Sequence, residues 1–160
     1  METNSVLQEC ARALKEQNLT LAFAESVTAG CLCHAFGALP GCGSFFRGGI
    51  VAYDAEIKKS LLGLTQEMLD KYTPESAEVS KALAKGLASC IPADCLIGVT
   101  GLNTSGGSET PEKPVGTIFV HAIVKNKEYA VEKRFNGDAE AINKQVLAEV
   151  CELLKKIIEK

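Results

Sequence analysis

Residues Gly116 to Phe135, GTIFVHAIVKNKEYAVEKRF, decide the fold. Gly116 to Val124 is nearly all apolar and rich in β-branched residues, as a largely buried strand is. Lys125-Asn126-Lys127 reads as a hairpin turn. Glu128 to Phe135 then alternates, as a strand with one face exposed does. A hairpin is antiparallel. Upstream, short apolar runs alternate with helical patterns, which implies parallel strands joined by crossover helices. Together these predict an α/β protein, a three-layer α/β/α sandwich around a mixed β-sheet.

The upstream elements follow from periodicity. Ser5 to Gln17 is an amphipathic helix with Val6, Cys10, Ala13 and Leu14 on one stripe. Leu19 to Ala24 is strand one, and Thr28 to Leu39 is a helix that Ser26 or Thr28 can cap. Phe45 to Tyr53 is strand two. Asp54 caps a short helix carrying Lys58, which Gly63 stops. Thr65 to Lys71 adds a turn or two of helix. A longer helix starts at Ser76 and ends before Pro92. Cys95 to Thr100 is a buried strand. Asp138 caps a C-terminal helix with Ile142, Val146, Val150, Leu153 and Ile157 on one face.

The 160 residues suit one domain spanning 1–160, with no linker and no internal repeat. Hydrophobic content of 46% and charged content of 23% argue against disorder. No apolar run approaches the ~20 residues that span a bilayer, and the N-terminus lacks a signal-type apolar core. The net charge of −3 gives no footprint for nucleic acid. The expectation is a cytoplasmic protein with no nucleic-acid and no membrane partner, assembled as a homo-oligomer, a dimer. Seven cysteines at irregular spacing suggest reduced thiols. Cys31-Leu32-Cys33-His34 resembles a metal fragment, but nothing completes a ligand set, so no metal is expected.

Three stretches carry candidate chemistry. Pro40 to Lys58, PGCGSFFRGGIVAYDAEIK, sets Cys42 and Ser44 on a Gly-rich turn with Tyr53 and Lys58 downstream. A nucleophile on a tight turn with a nearby amine is the material of Ser–Lys covalent catalysis. The plain alternative is a strand with ordinary turns and a solvated lysine. Gly101 to Pro114, GLNTSGGSETPEKP, follows the end of a strand, where open α/β sheets bind ligands. There Gly106 and Gly107 permit close backbone approach, and Lys113 offers a charge to a phosphate. Glu25 to Gly30, between a strand and a helix, is a third candidate: a helix N-terminus suited to anions.

Three ordered blocks resemble one family. Ala24-Glu25-Ser26, Thr28 and Gly30 are similar to its AESxTGG run. Pro40-Gly41, Phe46 to Gly49, Val51 to Tyr53 and Lys58 match its second block. Thr100-Gly101, Gly106-Gly107 and Pro111 to Thr117 match its third. The chain from about Ser5 onward thus resembles the C-terminal domain of CinA, the competence/damage-inducible protein. The resemblance implies a nicotinamide-nucleotide amidase with no metal or organic cofactor, hydrolysing a small nucleotide, nicotinamide mononucleotide, to nicotinate mononucleotide and ammonia. It implies a serine after the Pro-Gly turn as nucleophile, the lysine matching Lys58 as base, and assistance from Tyr53 and Thr100. The expected catalytic residues are therefore Ser44, Tyr53, Lys58, Thr100 and Cys42. The expected substrate-binding residues are Ser26, Thr28, Gly30, Arg47, Gly48, Gly101, Gly106, Gly107 and Lys113.

The departures from the family pattern weigh against activity. The usual nucleophile position is Gly43, with Ser44 one residue late, and the usual arginine after Gly-Asp is Ala139. Two expectations follow: an amidase with a displaced nucleophile at Ser44 or Cys42, or a weak or inactive member that binds nucleotides or regulates. In either case Lys58 is expected to reach the Cys42–Ser44 turn, with Thr100 and the Gly101–Pro114 loop on the rim.

Overall fold

A computed structural model describes residues 3–160; Met1 and Glu2, included in the expected domain, lie outside the described residues. Among the described residues five strands form one mixed sheet in the order β2-β1-β3-β4-β5. They are β1 (Leu21–Glu25), β2 (Phe46–Val51), β3 (Cys95–Gly101), β4 (Thr117–Val124) and β5 (Lys127–Arg134). β1 runs parallel to β2 and β3, and β4 runs antiparallel to both β3 and β5. The hairpin turn is tighter than expected. Only Lys125 and Asn126 form it, both at positive φ (49° and 67°), and Lys127 already pairs with Val124. Two left-handed residues match the right-handed twist of the strands they join.

Among the described residues six α-helices cover the sheet: α1 (Thr3–Glu16), α2 (Cys31–Gly37), α3 (Ala55–Leu62), α4 (Gln66–Tyr72), α5 (Ala77–Cys90) and α6 (Ala139–Ile158). Side chains on a strand alternate between faces. Leu21, Phe23, Ile97, Val99, Ile118 and Val120 therefore join α1, α2 and α6 in one core. Ala22, Ala24 and Leu96 join α3, α4 and α5 in the other. Among the described residues no helix is long and apolar enough to cross a membrane.

On the second face α5 lies directly on β3. A Cβ at Gly98 would sit 2.2 Å from the Ser80 carbonyl oxygen and 2.7 Å from the Ala84 nitrogen. Both are helix backbone, so the helix must move as a unit. Gly98→Ala is expected to lower stability by about 2 kcal/mol through overpacking. The urea midpoint should fall with unchanged slope; an unchanged midpoint would show that α5 yields freely.

α2 is shorter than the expected Thr28–Leu39. Ala29 (φ 48°) and Gly30 (φ 97°) are left-handed, so the helix begins only at Cys31. Neither Ser26 nor Thr28 caps it, and its cap residue Gly30 makes no side-chain bond. The N-terminal amides are taken instead by Glu25.

Candidate functional site

The parallel strands end together, and the loops after them enclose a cleft of about 290 Å³. The β1–α2 turn contributes Ser26 and Val27, and the β2–α3 segment contributes Tyr53, Ala55 and Lys58. Pro74 and Glu75 come from the α4–α5 connection, and Gly101 to Gly107 close the opposite wall. This is the carboxyl edge of the sheet, where an open α/β fold leaves a crevice.

The β1–α2 turn is held by a fully buried carboxylate. Glu25, the last residue of β1, is 0% exposed. Its Oε2 accepts from the Thr28 hydroxyl (2.6 Å) and the Gly30 and Leu32 amides (3.0 and 3.2 Å). Its Oε1 accepts from the Cys33 amide at 2.7 Å. The α2 N-terminus is thus filled by the chain's own anion, and Thr28 and Gly30 serve the clamp rather than the cleft. The clamp fixes the turn that presents Ser26, which is 7% exposed and whose amide donates to the Val99 carbonyl at 2.9 Å. Glu25→Gln replaces one acceptor oxygen by a donor facing donors. A loss of about 1–3 kcal/mol is expected, read as a lower thermal midpoint. No loss would mean that water replaces the clamp.

Lys58 sits one turn into α3, whose first turn Asp54 caps by accepting from the Glu56 amide at 2.8 Å. Its side chain does not run into solvent: the residue is 2% exposed. The amine donates to the Tyr53 carbonyl at 2.8 Å. Burial holds its pKa below the ordinary lysine value, while Glu75 and Asp54 pull partly the other way. A buried, easily deprotonated amine in a cleft is the form of lysine that can act as a base. Tyr53 lines the same cleft, with its side chain largely in solvent at 64% exposure.

The turn at Cys42–Ser44 is not part of this site. It forms a short 3-10 turn before β2, at the amino edge of the sheet, where the Phe45 carbonyl meets the Leu21 amide. Lys58 follows β2 at the other edge. The first and last Cα atoms of the six-residue strand Phe46–Val51 are five steps apart, about 17 Å at ~3.3 Å per step. Ser44 donates instead to the Gly41 carbonyl (2.9 Å) and Cys42 to the Gly37 carbonyl (3.2 Å). Gly43 shares their position. Arg47 is exposed near the same edge, where it adds a small downward pull on Asp94 behind the dominant Thr20 hydrogen bonds and Lys125. Gly48 lies within β2, outside the cleft.

Thr100 is buried beside the cleft, and its hydroxyl donates to the Pro74 carbonyl at 2.9 Å. Lys113 is likewise engaged, donating to Thr73 Oγ1, the Glu75 carbonyl and Ser108 Oγ at 2.8 Å each. It latches the Gly101–Pro114 loop onto the α4–α5 connection. Gly106 and Gly107 do line the cleft, but the Gly106 amide donates to Glu109 at 2.7 Å. Asn103 ties the loop to its neighbours, donating to the Val27 carbonyl and to Asn143 Oδ1 on α6, both at 3.0 Å. Sequence reasoning missed Glu75 and the clamping role of Glu25. The signal for the latter was an acid at the end of an all-apolar strand.

Comparison with known proteins covers nearly the whole chain. The model of the CinA C-terminal domain family matches residues 3–158. A CinA-like protein of Thermotoga neapolitana is 36% identical over 157 residues, covering 98% of this chain and 38% of that protein. One from Leptospira borgpetersenii is 34% identical over 133 residues, covering 83% and 32%. The chain thus spans about a third of these relatives' length. Among solved structures, a CinA superfamily protein from Klebsiella pneumoniae superposes with a TM-score of 0.93 at 26% identity, over 99% of both chains. One from Escherichia coli gives 0.90 at 26% identity, over 97% of this chain and 90% of that one.

Proposed function

Because this chain belongs to the CinA C-terminal domain family, we propose that it is a Ser–Lys amidase. Its substrate would be the carboxamide of nicotinamide mononucleotide or a close relative. Ser26 is the nucleophile in this reading, not Ser44 or Cys42, and Lys58 is its base. One observation carries the reading: Ser26 and the buried, pKa-lowered Lys58 line one cleft. The neutral amine takes the Ser26 hydroxyl proton as Oγ attacks the amide carbon. The resulting ammonium gives that proton to the departing nitrogen, which leaves as ammonia. Water then hydrolyses the acyl ester, with the same amine as base.

The test is ammonia release from nicotinamide mononucleotide and its nucleoside, with mass spectrometry for an acyl adduct on the peptide containing Ser26. A second reading, binding without hydrolysis, is favoured by the commitment of the Thr100 hydroxyl to Pro74 and of the Lys58 amine to Tyr53. Saturable binding without ammonia would select it.

A further inference from the structure

Glu75 is the one acid among the described residues that line the cleft. A chain of hydrogen bonds fixes its side chain. The Lys113 ammonium donates to Ser108 Oγ at 2.8 Å. A hydroxyl that accepts from an ammonium turns its own proton elsewhere, and Ser108 donates it to Glu75 Oε2. Lys113 also binds the Glu75 carbonyl and Thr73 Oγ1. Thr73 has φ 66° and ψ 153°, a region that β-branched residues rarely enter. These contacts keep it there, and the Pro74–Glu75 segment that follows lines the cleft. With Oε2 committed, Oε1 has no hydrogen-bond partner among the described residues. It lies beside Gly107 on the opposite wall, 3.6 Å from where a Cβ there would stand. Behind burial, Glu75 is the strongest influence on the Lys58 amine. A free carboxylate oxygen and the candidate base thus share one space.

We propose that Glu75 tells substrate from product: Oε1 accepts an N–H of the substrate's carboxamide, and the same charge drives the carboxylate product out. The inference rests on the amidase reading and adds to it a specificity-determining residue. A primary amide presents two N–H donors, whereas the acid it becomes presents only acceptors and a negative charge. A free carboxylate oxygen bonds the first and repels the second, and in a partly buried cleft that repulsion is weakly screened. Holding one N–H also orients the nitrogen. Once the attacked carbon is tetrahedral, the nitrogen lone pair is left for the proton carried by Lys58.

The experiment is titration calorimetry of Ser26→Ala, which cannot turn substrate over in this reading, with nicotinamide mononucleotide and with nicotinate mononucleotide. The two ligands differ only in amide against acid. The amide should bind at least about tenfold tighter. Adding Glu75→Gln should move the two affinities apart in sign: the acid at least about tenfold tighter, the amide no tighter and up to about tenfold weaker. A merely structural role would weaken both alike. Ser108→Ala releases the Glu75 side chain but keeps its charge, so the amide should weaken by about threefold or more while the acid stays excluded. Parallel changes for both ligands in either variant, a parent that prefers the acid, or no binding of either ligand would overturn the proposal. Ammonia release by the wild-type protein is measured separately. Its absence would remove the amidase reading alone, and the opposite shifts in affinity would still support the role of Glu75.

Discussion

Replacing Ser26 by alanine is expected to lower kcat/KM for ammonia release by at least about 1,000-fold, the scale on which a missing nucleophile acts. Ser44→Ala and Cys42→Ala should leave it within about twofold, because both residues lie at the amino edge of the sheet and bond locally to Gly41 and Gly37. The three variants make the assignment sharp. Loss in Ser44→Ala with retention in Ser26→Ala would return the nucleophile to the Pro-Gly turn and require the sheet to be rearranged. Gly43→Ser, which fills the position left open in the family pattern, should change nothing for the same reason of distance. Ala139→Arg acts at the opposite edge, so no synergy with Gly43→Ser is expected.

Lys58→Met should produce a loss of comparable size, about 1,000-fold or more, since without a base the serine hydroxyl keeps its proton. Its stability should behave differently. A buried amine carries a desolvation cost that methionine does not, so the folded state should lose no more than about 1 kcal/mol and can gain. Wild-type kcat/KM should rise with pH as the amine loses its proton, level off above its pKa, and do so below the pH expected for an ordinary lysine. The direction follows from burial, which disfavours the charged form. In Lys58→Met the residual rate should lack that rise. A profile flat in pH for the wild type, or one that falls as pH increases, would remove Lys58 from the role of base.

The sequence by itself determined the elements and their order. Apolar periodicity gave six helices and five strands, because a helix and a strand bury one face each at periods of 3.6 and 2. The alternation followed by a Lys-Asn hairpin gave the mixed sheet, and the ordered motifs gave the family. It also singled out Lys58, whose position after strand two and an Asp cap is local information. What it did not determine was which residues face Lys58. Cys42 and Ser44 are closer to Lys58 along the chain than Ser26 is, yet β2 stands between them as an extended segment and carries them to the far edge. Ser26 is 32 positions away, and the parallel pairing of β1 with β2 returns it to the same edge. Side-chain commitments were equally invisible. Thr100, Lys113 and the Gly106 amide all looked available in one dimension, and each is taken by Pro74, by the Thr73–Glu75 connection or by Glu109. A buried polar group must find a partner, and which partner lies within reach is set only when the loops at the carboxyl edge close on one another.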